Sequence, residues 1–133
     1  MIEIYLLAAL GRLEADHGEP LAALDHLTLA IRNSHDAGST ADVHAVLAIL
    51  AALFDRLGRH EPAATIAGYA LSPLSAAAIP ELGTAIAYLR DALGDQTYES
   101  LARKGETMTT AAMVTYAYDQ IDQARAELSA VSK

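Results

Sequence analysis

The sequence predicts an all-α fold, and three observations support this prediction. Alanine supplies about a fifth of the 133 residues, and it is the residue that most favours a helix. The chain has one Phe, six Tyr and no Trp, whereas strands are rich in aromatic and β-branched residues. Apolar residues recur every three or four positions along most of the chain, which is the spacing of one helix face. We therefore expect one helical domain over residues 1–133, without a sheet.

Proline and glycine residues divide the apolar pattern into seven predicted helices. The first four run from about Ile2 to His17, from Pro20 to Gly38, from Ser39 or Thr40 to Gly58, and from Glu61 to about Ala70. Proline suits the first turn of a helix, Ser or Thr its N-cap, and glycine the position just after its end. These four helices form two predicted hairpins, at residues 1–38 and 39–70.

The last three predicted helices occupy residues 80–133. Between Leu71 and Ile79 the apolar pattern lapses, so we expect a connection there. The fifth helix runs from Pro80 to Gly94, the sixth is capped by Asp95 and ends at Gly105, and the seventh starts near Thr109. One face of the seventh carries an apolar stripe made of Val114, Tyr118, Ile121, Leu128 and Val131.

A set of small and apolar residues occurs twice, 40 residues apart. It consists of Leu7, Leu10, Gly11, Gly18, Ala23, Leu27 and Ala30, and then of Leu47, Leu50, Ala51, Gly58, Ala63, Ala67 and Ala70. The small residues let two antiparallel helices approach closely, and the glycines close the turn. This pattern resembles the tetratricopeptide repeat, although an alanine-rich hairpin repeated by chance is the alternative. The resemblance implies antiparallel hairpins of about seven helices in a right-handed α-solenoid with a C-terminal capping helix.

A second resemblance covers roughly residues 47–126. It rests on Leu57 to Ala64 with Gly68, Leu93-Gly94-Asp95, Tyr98, Lys104-Gly105, Met108-Thr109 and Tyr116-Ala117. These residues resemble the tetratricopeptide-like C-terminal region of large bacterial signalling regulators. Such regulators carry a cyclase-like or P-loop ATPase region and often a LuxR-type helix-turn-helix. The resemblance implies that the chain is one module of a larger regulator, without that family's catalytic motifs.

Composition argues against several classes of protein. The net charge is −8, with 17 acidic and 9 basic residues, so a nucleic-acid-binding surface is not expected. The longest apolar run, from Ala45 to Phe54, has ten residues, fewer than the roughly 20 that span a bilayer. The N-terminus lacks a basic region ahead of an apolar segment, so we expect a cytoplasmic protein.

No pattern of residues predicts catalysis, a cofactor or a metal. The glycines occur singly, so a phosphate-binding loop is not expected. The first four histidines are each nine residues apart, which turns successive side chains to opposite faces of a helix. We interpret them as solvated or capping residues near helix ends. The sequence also lacks a Gly-x-Ser-x-Gly turn, so we do not expect an enzyme.

The remaining expectation is a binding surface on the first helix of each hairpin. By position in the repeat, the residues that line it are Tyr5, Arg12, Asp16, Ala48, Ala52, Asp55 and Arg56. The expected partners are a protein or peptide segment, or upstream domains of the same polypeptide. A homodimer through the apolar face of residues 2–13 is a further expectation. Two alternatives stay open, which are a small-ligand sensor with a pocket between the repeats and the C-terminal helices, and a pure oligomerisation module.

Overall fold

Eight α-helices and no strand make up the part of the chain that the computed structural model describes, which is residues 2–132. The helices are α1 (Ile2–Asp16), α2 (Pro20–Asp36), α3 (Thr40–Arg56), α4 (His60–Ala70), α5 (Pro73–Ala78), α6 (Pro80–Leu93), α7 (Asp95–Glu106) and α8 (Thr110–Ser132). The prediction of an all-α protein is therefore confirmed. None of these described helices is both long and apolar enough to cross a membrane.

The prediction of seven helices is wrong because residues 73–78 form a short helix, α5, in the expected connection. Its N-cap is Ser72, whose hydroxyl accepts a hydrogen bond from the backbone N–H of Ser75 at 3.1 Å. The Ser75 hydroxyl accepts one from the backbone N–H of Ser72 at 2.9 Å, which completes a capping box. Pro73 occupies the first helical position, where its missing N–H costs nothing.

Two predicted boundaries at the C-terminal helices are also wrong. The N-cap of α7 is Gly94, and Asp95 is the first residue of the helix without capping it through its side chain. Gly105 lies inside α7 and is buried, so it does not end the helix. Its backbone packs directly against that of Thr65 in α4, which leaves no space for a side chain.

The first three turns between helices have the same backbone geometry and lie 20 residues apart. Their central residues are Gly18, Gly38 and Gly58, with φ of 75°, 71° and 77°. In the first turn the N–H of Glu19 donates to the carbonyl oxygen of Glu14 at 2.9 Å, and equivalent bonds close the other two. This is a Schellman arrangement, in which glycine adopts the left-handed conformation that other residues avoid. The predicted turns at Gly18 and Gly58 are thus confirmed.

Helix α3 lies at the centre of the molecule and contacts α1, α2, α4, α5 and α6. Every residue from Val46 to Phe54 is buried. The long apolar run in the sequence is therefore a helix surrounded on all sides. Gly11 in α1 lies against Leu27 and Ala23 of α2, as the repeat pattern predicts for a close pair of antiparallel helices.

Helix α8 lies along α2 and α4. Near its start, the hydroxyls of Thr110 and Tyr69 are 2.5 Å apart, at the end of α4. Near its other end, Glu127 forms an ion pair with Arg59, which precedes α4. The order of these contacts shows that α8 runs antiparallel to α4.

Candidate functional site

The candidate site is a groove above α3, between α1 and α6. Arg12 of α1 reaches over to Glu81 in the first turn of α6. Its Nε donates to Oε2 at 2.8 Å and its Nη2 donates to Oε1 at 2.7 Å. This contact is bidentate, with two donors of the planar guanidinium bound to the two oxygens of the carboxylate. It raises the pKa of Arg12 above its ordinary value, chiefly through the hydrogen bond to Glu81, against a smaller opposing effect of burial.

A second ion pair joins α1 to α3 beside the first. Arg56 at the end of α3 donates through Nη1 to Oδ1 of Asp16 at 2.8 Å. Both side chains are about half exposed, at 44% and 58%. Ion pairs with this degree of exposure contribute only about 0–1 kcal/mol of stability. The two charges can therefore exchange partners at little cost in folding free energy.

The space between these pairs is a concavity of about 430 Å³, which we call the inner groove. Its lining residues are Ala9, Arg12, Leu13, Asp16, Arg56 and Glu81. Beneath it lie Ile49, Ala52 and Leu53 of α3. The inner groove therefore offers two positive and two negative groups over an apolar base, with a half-exposed leucine at its edge.

The structure brings together four of the seven residues that the sequence places on the binding surface. Arg12, Asp16 and Arg56 line the inner groove, and Ala52, which is 5% exposed, lies beneath it. Ala48 is 0% exposed and presents no surface. Both alanines lie in the part of α3 that neighbouring helices surround.

The other two residues lie apart from this cluster. Tyr5 is exposed on α1, two turns before Arg12. Asp55 is half-buried, and burial raises the pKa of its carboxyl, while the nearby His60 and Arg56 act to lower it. Glu81, which contributes the strongest contact of the groove, was not among the predicted residues. It lies 69 residues from Arg12, and no local spacing relates the two.

His17 and His35 lie at helix ends, as the sequence predicts, whereas His26 and His44 do not fit the prediction of solvated or capping residues. His26 is in the middle of α2, with Nδ1 2.5 Å from Oε1 of Glu14. His44 packs against the ring of Tyr69 at 4.6 Å between centroids, and burial lowers its pKa. Within the described part of the chain, no three His, Asp or Glu side chains are grouped as metal ligands would be.

The sequence predicts an exposed apolar face on α1, and two leucines of this helix are exposed. Leu6 and Leu13, one on either side of the exposed Ala9, are each 55% exposed. They lie two turns apart on the same side of the helix.

Comparison of the chain with protein-family models, with curated proteins and with solved structures gave no match.

Proposed function

We propose that the chain is a non-catalytic protein-interaction module of a bacterial signalling or transcription regulator. In this proposal its hairpins form a tetratricopeptide-like, right-handed array, and the inner groove binds an extended segment of a partner protein. The observation that carries the proposal is the presence of two ion pairs that line the groove, the part-buried Arg12–Glu81 and the exposed Arg56–Asp16.

The geometry of the first four helices supports the repeat assignment. The pairs α1/α2 and α3/α4 are joined by the same glycine turn. Close approach of α1 and α2 at Gly11 fits the small-residue pattern of the repeat. A regular array of hairpins places the first helix of each pair on one side, where a partner segment lies across several helices.

The charges of the inner groove support a partner that carries both signs. A basic side chain of the partner fits beside Asp16 and Glu81, and an acidic one fits beside Arg12 and Arg56. Each such contact replaces an internal ion pair by an intermolecular one, so little charge is left unpaired. Burying Leu13 at the same time adds apolar contact to the complex.

The proposal is tested by selecting random peptides displayed on phage against the purified chain, and by measuring the affinity of enriched peptides by fluorescence polarisation. We expect Arg56→Asp to weaken binding about tenfold or more, since it reverses one charge of the groove. The matched control is Arg103→Asp on the exposed side of α7, which should leave affinity unchanged.

A charge-swapped variant separates binding from stability. Arg56→Asp alone faces Asp16 and is destabilised, whereas Asp16→Arg with Arg56→Asp restores an ion pair. We expect the double variant to recover thermal stability but not peptide affinity. The proposal is overturned if no peptide is enriched, or if enriched peptides bind Arg56→Asp and Arg103→Asp equally well.

A further inference from the structure

An uncharged surface covers α5 and the outer side of α6. The chain has no charged residue from Leu71 to Pro80, and the exposed residues of α6 carry no charge before Asp91. Two leucines and a tyrosine are well exposed here, with Leu71 at 51%, Leu74 at 74% and Tyr88 at 62%. We call this surface the α5–α6 face. It shares no residue with the lining of the inner groove.

The exposed residues of α6 fall on a single side of the helix. The opposite side carries Leu82, Ala85 and Leu89, which are buried. The outer residues follow the spacing of one helix face, and they are Pro80, Gly83, Thr84, Ala87 and Tyr88. Helix α5 packs on α6, and its alanines at 76–78 are exposed. The two helices therefore present one continuous face without the charges that usually cover a solvated helix.

The size of the α5–α6 face suits a contact between proteins. Each of its three large side chains exposes roughly 100–150 Å², and with the small residues the face presents on the order of 700 Å². The largest apolar patch on a typical monomer is about 300–600 Å², and larger ones mark interaction sites. A specific interface buries about 800 Å² on each partner. The face is therefore large enough for a specific contact of modest strength.

Charge favours a second copy of this chain on the α5–α6 face. Each copy carries a net charge of −8, so two copies repel one another over most of their surfaces. The α5–α6 face is where they can meet without placing like charges opposite each other. It is also an apolar surface of the required size, so each copy supplies the partner that the other needs.

The distribution of large and small residues along α6 is self-complementary. A two-fold axis that passes between Thr84 and Ala87 makes the two copies of α6 antiparallel. It places Tyr88 of one copy over Gly83 and Thr84 of the other, and the reverse contact follows by symmetry. Nothing lies within 4 Å of the Cβ position of Gly83, so there is room for the tyrosine ring.

We propose that the α5–α6 face is a homodimer interface in which two copies of α6 pack antiparallel around this axis. Its area lies at the lower end for specific interfaces, so we expect a dissociation constant on the order of 10 µM and monomers in dilute samples. This surface differs from the apolar face of α1. The inference goes beyond the proposed function and does not depend on it.

The test is analytical ultracentrifugation of the full chain over a concentration range on the order of 1–300 µM. We expect the mass to rise from 14.0 kDa towards twice that value. Leu74→Glu and Tyr88→Glu should each raise the dissociation constant about tenfold or more, because each buries a charge at the contact. The matched control is Leu6→Glu on α1, where the leucine is 55% exposed, and it should leave the dissociation constant unchanged. Far-UV circular dichroism checks that each variant is folded.

A cross-linking experiment tests the position of the axis. Because the chain contains no cysteine, a single introduced cysteine is a unique reactive group. Ala87→Cys lies next to the proposed axis, so a short bismaleimide should join two copies of this variant. The matched control is Ala9→Cys, which replaces an exposed alanine of α1 and should remain largely monomeric under the same conditions.

The proposal is overturned if the mass stays at 14.0 kDa at every concentration. It is also overturned if Leu6→Glu weakens the dimer as much as Tyr88→Glu, or if Ala9→Cys is cross-linked as efficiently as Ala87→Cys, since either result places the contact on α1. Arg56→Asp, which tests the inner groove, should leave the dimer intact. Failure of one surface is therefore distinguishable from failure of the other.

Discussion

The substitution Gly68→Ala tests the close crossing of α4 and α7, and we expect it to destabilise the protein. A Cβ atom built on Gly68 would lie 2.0 Å from the carbonyl oxygen of Ala102 and 2.5 Å from its Cα. Carbon and carbonyl oxygen in contact are normally about 3.3 Å apart or more. The helices would therefore have to separate by roughly 1.3 Å, and the opposing atoms belong to backbone that cannot rotate away.

The magnitude follows from two opposing effects. In an exposed helix, alanine is more favourable than glycine by about 0.5–1 kcal/mol. Forcing extra volume into a packed interface costs about 1–3 kcal/mol and occasionally more. Because the clash is with backbone, we take the cost at the upper end, about 3 kcal/mol, and subtract the gain of about 1 kcal/mol, so Gly68→Ala should lower the free energy of unfolding by about 2 kcal/mol. Gly105→Ala should behave alike, because its Cβ would lie 1.8 Å from the carbonyl oxygen of Thr65.

Gly83→Ala in α6 is the matched control, because nothing lies within 4 Å of the Cβ position there. That variant should be stabilised by about 0.5–1 kcal/mol. Gly11→Ala should lie between the two, since its Cβ clashes with the Leu27 side chain, at 2.7 Å, which can shift, and is at an ordinary contact distance of 3.6 Å from the carbonyl oxygen of Ala23. Urea unfolding followed by far-UV circular dichroism measures the stability of all four variants. If Gly68→Ala is as stable as Gly83→Ala, the close crossing of the helices is refuted.

Three further predictions concern polar residues that are partly or fully buried. Burial raises the pKa of Asp55 above its ordinary 3.8, so ionisation of its carboxyl opposes folding. Asp55→Asn should therefore raise the melting temperature at neutral pH, and this gain should vanish as the pH falls to about 3.8, where the carboxyl is protonated in the folded protein. Burial lowers the pKa of His44. The unfolded chain then binds more protons, so stability should fall as the pH drops below about 6.5, and the urea midpoint of His44→Gln should depend less on pH there. Ser75→Ala removes a buried hydroxyl that donates to the carbonyl oxygen of Ala70 at 2.6 Å. It should cost about 1–2 kcal/mol in urea unfolding, and a change within error would contradict the capping account of α5.

The boundaries of the first four helices could be predicted because single residues determine them. Pro20 opens α2, and glycines with positive φ follow the ends of α1, α2 and α3. These effects are local, since they depend on the backbone freedom of one residue. The sequence therefore contains all the information that such a boundary needs.

Two features of the C-terminal half could not be predicted in this way. Helix α5 has six residues, too few for an apolar period to be recognised, and it packs on α3 and α6. Gly105 looks like a helix end because glycine often follows one. Its actual surroundings come from Thr65, 40 residues earlier, through a contact between backbones. A local sequence pattern does not indicate which distant residue packs against a glycine.

The candidate site could be predicted only in part, because some of its residues belong to the repeated hairpins and one does not. Arg12, Asp16 and Arg56 share one surface because they occupy related positions in consecutive hairpins. Reasoning from equivalent positions in the repeat also predicted Ala48 and Ala52 as surface residues, but both are buried in the central helix. Glu81 belongs to α6, outside the two hairpins that repeat, so the pattern gave no reason to include it.

The glycine turns and the pattern of packed side chains recur at different intervals along this chain, for a physical reason. Each of the first three helices is followed by a glycine with positive φ, so this turn recurs every 20 residues from Gly18 to Gly58. The packing environment differs between the two helices of a hairpin, so the side-chain pattern recurs only every 40 residues. Helices α2 and α3 have 17 residues each, and three residues connect them. Two helices of this length and two such connections account for the 40-residue period of the side-chain pattern.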